Sequence, residues 1–266
     1  MTTTTCGTGE LIKEAIECKP NKILLAVGGS ATVDGGIGAA TALGWKFLDE
    51  NGNPVMPSGR GLEQIIEIVE PEAPISIPVE VLCDVTNPLC GCHGAAAVYA
   101  PQKGATDKMV EQLDAGLTHL AAIVRTKLKR EIADVPGAGA AGGLAGGAVA
   151  FMNAELTSGV RTIMDFINLG PELSDADWVV TGEGCFDHQS LCGKVVSGVA
   201  EIAAVSGTAV AVIAGDVKLS EKQCRRAGIR IAIACKPRLI SLDKAMNQSA
   251  ALLRVATQRF AKQSLI

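Results

Sequence analysis

The 266 residues carry a net charge of -4, with 48% hydrophobic and 20% charged side chains, enough apolar material for one large or two modest α/β domains. This balance leaves no electrostatic footprint for nucleic acid or an acidic membrane, and 3% aromatic residues cannot furnish base-stacking platforms. No apolar run matches the roughly 20 residues that cross a bilayer, and nine scattered cysteines without a signal peptide are expected in a reducing, cytoplasmic compartment.

Residues 1–5 (MTTTT) read as a polar tail, and residues 9–18 (GELIKEAIEC) place Leu11, Ile12, Ala15 and Ile16 on one helical face. Residues 22–27 (KILLAV) form a continuous apolar run ending in Gly28-Gly29-Ser30, which predicts a strand buried on both faces of a parallel sheet. The same order returns where residues 177–180 (DWVV) enter Thr181-Gly182-Glu183-Gly184, and where residues 209–214 (AVAVIA) enter Gly215-Asp216. Each loop has an acid close behind it: Asp34, Asp187 or Asp216. Ligands of open parallel sheets bind outside the carboxyl ends of the strands, so the three loops are expected to converge if their strands share one sheet.

From Phe47 to about Val135 the texture changes to Gly/Pro-punctuated segments and one long helix. That helix is predicted over residues 106–130, with Thr106 as N-cap and Leu113, Leu117, Leu120 and Val124 at helical spacing. The expected organisation is an α/β fold of two domains. Residues 1–45 and 160–266 would form a parallel three-layer domain, and 46–159 an inserted mixed α/β domain.

Four stretches bear chemistry. In residues 27–38 (VGGSATVDGGIG), Gly29 allows close backbone approach to a ligand, Ser30 and Thr32 offer hydroxyls and Asp34 a carboxylate. In residues 181–194 (TGEGCFDHQSLCGK), Gly182 and Gly184 permit a tight turn with exposed amides. Glu183 and Asp187 are candidates for a divalent cation and Lys194 for phosphate charge, although the same residues suit a solvated strand-to-helix turn. This is no Walker A loop, because no Gly stands four residues before Gly193-Lys194 and Val195 follows the lysine. Residues 83–104 bring Asp84, Asn87 and Lys103 behind another short strand, with Asn87-Pro88 equally readable as a turn and Lys103 as a surface residue. Cys90-Gly-Cys92-His93 lacks the second ligand pair of a structural zinc site. Residues 137–142 (GAGAAG) match a dinucleotide fingerprint in letters but follow no strand, so close helix packing or an anion-binding helix start are the readings left. His119 falls inside a helix, His188 stands next to Asp187, and no Ser-His-Asp order points to a hydrolase.

Taken in order, GGSATVDGG (28–36), DVTNPLCGCHGAAAVYAPQKGAT (84–106), GAGAAGGL (137–144) and TGEGCFDHQSLCGK (181–194) resemble the class I glycerate kinase family. The resemblance implies two α/β domains, one of them discontinuous, and transfer of the ATP γ-phosphoryl group to D-glycerate with Mg2+. It implies that Asp187 and Asp34 take metal or base roles, with Glu183 as a further metal ligand. Lys194 and Lys103 would meet phosphate charge, and Ser30, Asn87 and Gln189 would hydrogen bond the substrates. Family members normally continue upstream of Thr5, so the expectation includes an open sheet edge, a homodimer through it, and the alternative of a relative that folds and binds without turnover.

Overall fold

A computed structural model describes residues 1–191, 194–237 and 239–264. The chain forms two compact units, Met1–Gly159 and Val160–Ile266. The division differs from the expected one: residues 1–45 belong with 46–159, because the first strand finds its hydrogen-bonding partner at residues 79–82.

The first unit contains α1 (Cys6–Glu17), β1 (Ile23–Ala26), α2 (Ile37–Ala42), β2 (Lys46–Leu48), β3 (Glu67–Val69), β4 (Val79–Leu82), α3 (Ala95–Tyr99), α4 (Asp107–Leu128), α5 (Leu144–Met152) and β5 (Glu155–Thr157). Its main sheet has the order β1-β4-β5, parallel throughout, and β2 pairs with β3 in a small antiparallel ribbon. Ile23, Val79 and Val81 pack with Ile12 of α1 and Leu144, Ala148 and Met152 of α5. Leu24 remains 40% exposed, so β1 is buried on one face rather than the two its apolar run predicts.

Helix α4 starts where its sequence says: Thr106 Oγ1 accepts from Met109 N, capping the first turn. Leu113, Leu117, Leu120 and Val124 bury one stripe against Leu62, Ile65 and Ile132. Each such side chain removed from water contributes about 1.5–3 kcal/mol before entropy is counted. Trp45 closes the other end of this core, donating Nε1–H to Phe151 O at 3.0 Å and meeting the Phe151 ring edge-on.

The second unit contains α6 (Gly159–Phe166), α7 (Leu169–Leu173), β6 (Trp178–Thr181), β7 (Cys185–Phe186), α8 (Val195–Ser206), β8 (Ala209–Ala214), β9 (Asp216–Val217), α9 (Glu221–Arg226), β10 (Ile229–Ala234), α10 (Leu242–Asn247) and α11 (Ser249–Ser264). Its sheet is parallel with order β10-β8-β6, and β7 pairs with β9 just beyond. Val196, Ala200 and Ala203 of α8 pack on Val210 and Val212. The C-terminal helical stretch is broken at Gln248, where α10 gives way to α11. The edge strand β6 leaves Val180 49% exposed. Because β1 lies in the other sheet, the three glycine-bearing loops do not share one sheet edge, and only the loops after β6 and β8 do. No described helix is long and apolar enough to cross a membrane.

Candidate functional site

In the first unit β1 and β4 run in register from Ile23↔Val79 to Ala26↔Leu82, so the segments that follow them leave the sheet side by side. Gly28, Gly29 and Ser30 after β1, and Cys83, Asp84 and Val85 after β4, line a cleft of about 370 Å3. Tyr99, Gln102 and Lys103 line it from the segment ahead of α4, and Ala140 and Ala141 from the helical turn ahead of α5. A cleft at the carboxyl ends of neighbouring parallel strands is where such sheets receive ligands. Gly29 has φ +68°, a conformation that costs an L side chain energy and leaves the loop backbone bare.

Lys103 is not a surface residue. Its half-buried ammonium donates to Ser30 Oγ and to Thr32 O, each at 2.7 Å. Burial pushes its pKa below the usual amine range, with the nearby Asp34 charge acting in the opposite direction. An ammonium has three donors, so two neutral acceptors leave one for a ligand. Position in sequence alone hides this, because the acceptors lie more than 70 residues upstream.

Asp34 occupies a different place from the one its motif implies. It is fully buried, and Oδ2 accepts from Thr5 N at 2.7 Å and Thr5 Oγ1 at 2.8 Å, while Oδ1 accepts from Gly36 N at 3.1 Å. Burial raises its pKa, offset in part by these same bonds. Thr5 Oγ1 in turn accepts from Ala39 N at 2.9 Å, so the carboxylate ties residues 5, 36 and 39 together. The residue read as base or metal ligand thus holds the glycine-rich loop, and the supposed tail residue Thr5 is part of the core.

Asn87 is similarly engaged. Its Oδ1 accepts from Tyr99 Oη at 2.8 Å and its Nδ2 donates to His93 O at 2.9 Å, fixing Tyr99 at the cleft wall. The carboxylate that does line the cleft is exposed Asp84, whose Oδ1 accepts from Ser158 Oγ at 3.1 Å. Asp84 is marked in the sequence by its place behind a short strand, whereas Tyr99 carries no signal beyond its position a few residues before Lys103.

The GAGAAG stretch packs tightly against the loop after β1. Gly142 has φ +69°, and a Cβ there would lie 2.0 Å from Thr32 O. Gly142 O also accepts from Gly35 N at 3.1 Å, so the turn is bonded directly to the loop after β1.

In the second unit Thr181 ends β6, and Gly182 passes so near β8 that a Cβ would lie 2.2 Å from Ile213 O. Gly184 O receives Asp216 N at 3.1 Å, which sets β7 against β9. Asp187 Oδ1 accepts from Gln189 N at 2.9 Å, and its other oxygen has a thiol contact with Cys185 Sγ at 4.0 Å. Gln189 is exposed, and Lys194 is an exposed residue at the start of α8. Cys192 and Gly193 of the motif lie outside the described residues. Glu183 is half-buried, with Oε1 enclosed and without a hydrogen-bond donor among the described residues.

Among the described residues no group of three His, Cys, Asp or Glu side chains is arranged to hold a metal. Mg2+ in phosphoryl-transfer sites uses one or two carboxylates, completed by phosphate oxygens and water. Asp187, with one carboxylate oxygen hardly engaged, fits that kind of incomplete site.

The family model described as "Glycerate kinase family" matches residues 1–265. The chain belongs to the glycerate kinase family. A glycerate kinase of Halalkalibacterium halodurans is 43% identical over 263 residues, covering 97% of this chain and 69% of that one. The glycerate 2-kinase of Escherichia coli is 40% identical over 249 residues, covering 92% and 65%. A crystal structure of a Salmonella typhimurium LT2 protein, named as a glycerate kinase 2, superposes with a TM-score of 0.79 at 38% identity, covering 98% of this chain and 70% of that one. This glycerate kinase family member therefore matches about two thirds of the length of these relatives, and 57% of the one from Haemophilus influenzae.

Proposed function

We propose that this protein transfers the γ-phosphoryl group of ATP to D-glycerate, giving phosphoglycerate and ADP. The observation that carries the reading is the Lys103 ammonium, set by Ser30 and Thr32 at the edge of a small cleft that ends two parallel strands. Glycerate presents a carboxylate and two hydroxyls, and the cleft offers matching chemistry. Lys103 meets negative charge, and the Gly28 and Gly29 backbone and Ser30 supply polar contacts. Asp84 orients the attacking hydroxyl and accepts its proton.

In the second unit we assign Asp187 to the nucleotide-associated Mg2+ and Lys194 to phosphate charge. The metal supplies neutralisation of phosphate oxygens when it is bound. The chain's own contribution is positioned charge: phosphoryl transfer demands electrostatic stabilisation of a transferring group more than covalent help. Asp34 acts through the loop it holds and touches no reactant. The family match supports substrate and reaction together.

The test is ADP release by the purified chain with ATP, Mg2+ and D-glycerate. Turnover that disappears when glycerate is omitted is the expected result. Equal ADP release with and without glycerate, or none from a folded sample, would remove the proposal.

A further inference from the structure

The second unit contains a pocket of about 940 Å3 that the roles proposed for Asp187 and Lys194 do not use. It opens at the carboxyl ends of β6 and β8, where the loops Glu183-Gly184 and Gly215-Asp216 leave the sheet. Its opposite wall is apolar and comes from α10 and α11, including Met246 and Leu253, which are 65% and 49% exposed. Lys218 and Lys236 also line it. Neither lysine has an ion-pair partner among the described residues. Small-ligand sites have this composition: mostly apolar walls, a few convergent polar groups, and a place at the strand ends of a parallel sheet.

Glu183 lines the same pocket, and its Oε1 is buried with no donor among the described residues. A carboxylate oxygen cut off from water without a partner is costly to maintain, so a ligand that supplies an N–H there recovers what folding spends.

We propose that this pocket binds the adenine end of the nucleotide, with the flat ring against the α10–α11 wall, its exocyclic amine donating to Glu183, and Lys218 and Lys236 meeting the phosphates. The inference rests on the kinase reading for the presence of a nucleotide and adds where it binds and which base is chosen. At ring position 6, the edge seated on Glu183, adenine presents an amine and guanine a carbonyl oxygen, while guanine's own donors, N1–H and the 2-amine, lie further round the ring. A carboxylate accepts from that amine and repels that carbonyl oxygen.

Calorimetry with the whole chain tests this without turnover, using ADP, GDP and adenosine as probes. ADP is expected to bind at least tenfold more tightly than GDP, and adenosine to compete with ADP. Ala250, exposed and in the α11 wall, can be enlarged without entering the core. Ala250→Trp is expected to weaken ADP at least tenfold with the unliganded melting temperature preserved, and Met246→Trp repeats the test from α10 should the first variant unfold. Glu183→Gln is expected to narrow the preference for ADP over GDP to less than threefold. ADP affinity unchanged in both tryptophan variants would overturn the pocket assignment even if glycerate-dependent ADP release is present. Weakening of ADP in those variants, in a chain with no such release, would uphold the pocket and remove the kinase reading instead. Equal binding of ADP and GDP to the parent protein would overturn the role given to Glu183.

Discussion

Lys103 holds Ser30 across 73 residues of sequence, its ammonium 2.7 Å from the serine hydroxyl. The bond joins the segment ahead of α4 to the loop after β1, and with the bond to Thr32 O it leaves the cation at a cleft instead of in solvent. Replacing Lys103 by Met is expected to lower kcat/KM for glycerate by about 10²-fold, the loss typical of one electrostatic donor. Calorimetric unfolding should change much less. Activity within tenfold of the parent would remove Lys103 from the site.

The same lysine sets an expectation for pH. Its charged form is disfavoured by burial, so an activity that needs the ammonium falls at a lower pH than an exposed lysine would give. Lys103→Arg, always protonated, should lose this alkaline limb even where its geometry lowers the rate. A pH profile of kcat/KM with an identical alkaline limb in both proteins would show that the lysine does not titrate in the reaction.

Asp34 predicts a stability effect. Asp34→Asn would turn an amide donor towards Thr5 N or Gly36 N, and the mismatch is expected to cost about 1–3 kcal/mol. The folded pKa of Asp34 is raised by burial, so its favourable contribution is fully present below 3.8 and is lost as pH rises through the folded value. The difference in unfolding free energy between the parent and D34N should therefore shrink with rising pH over that window. A gap that widens would reverse the sign of the argument.

Much of this was legible in the sequence and some of it was not. The strand at 209–214, the α4 stripe and its Thr106 cap follow from periodicity and capping, which are local rules. The four motifs led to the family. The division of the chain was not legible, because the apolar run at 23–26 looks alike in either sheet and only its pairing with β4 decides. The roles of Asp34 and Lys103 were hidden for a related reason. A carboxylate in a glycine-rich loop looks catalytic until the buried Thr5 amide and hydroxyl are seen bonded to it, and a lone lysine looks solvated until Ser30 and Thr32 are found beside it.

Gly142→Ala separates packing from binding in the GAGAAG stretch. Its φ of +69° costs an L residue about 1–2 kcal/mol, and its Cβ would meet Thr32 O at 2.0 Å, so a loss of more than ~2 kcal/mol in unfolding free energy is expected. Gly91, with φ +86° and open space for a Cβ, serves as control, since Gly91→Ala should cost only the backbone term. Equal losses in the two variants would show that the contact with residue 32 is unimportant.

Asp187→Asn tests the assignment on the second unit. Its amide can still accept from Gln189 N, so the loop should persist while the cation loses a charged ligand. Turnover is expected to fall at least tenfold and to recover partly at higher Mg2+. Unchanged turnover would strike Asp187 from the proposal.

Proton-coupled 31P spectroscopy of a mixture of the protein, ATP, Mg2+ and D-glycerate tests the central claim most directly. Loss of the ATP γ resonance matched by a new phosphomonoester signal, a doublet for the secondary hydroxyl or a triplet for the primary one, is the predicted result. An ATP spectrum that stays unchanged with folded protein, or a gain of inorganic phosphate alone, would contradict phosphoryl transfer to glycerate.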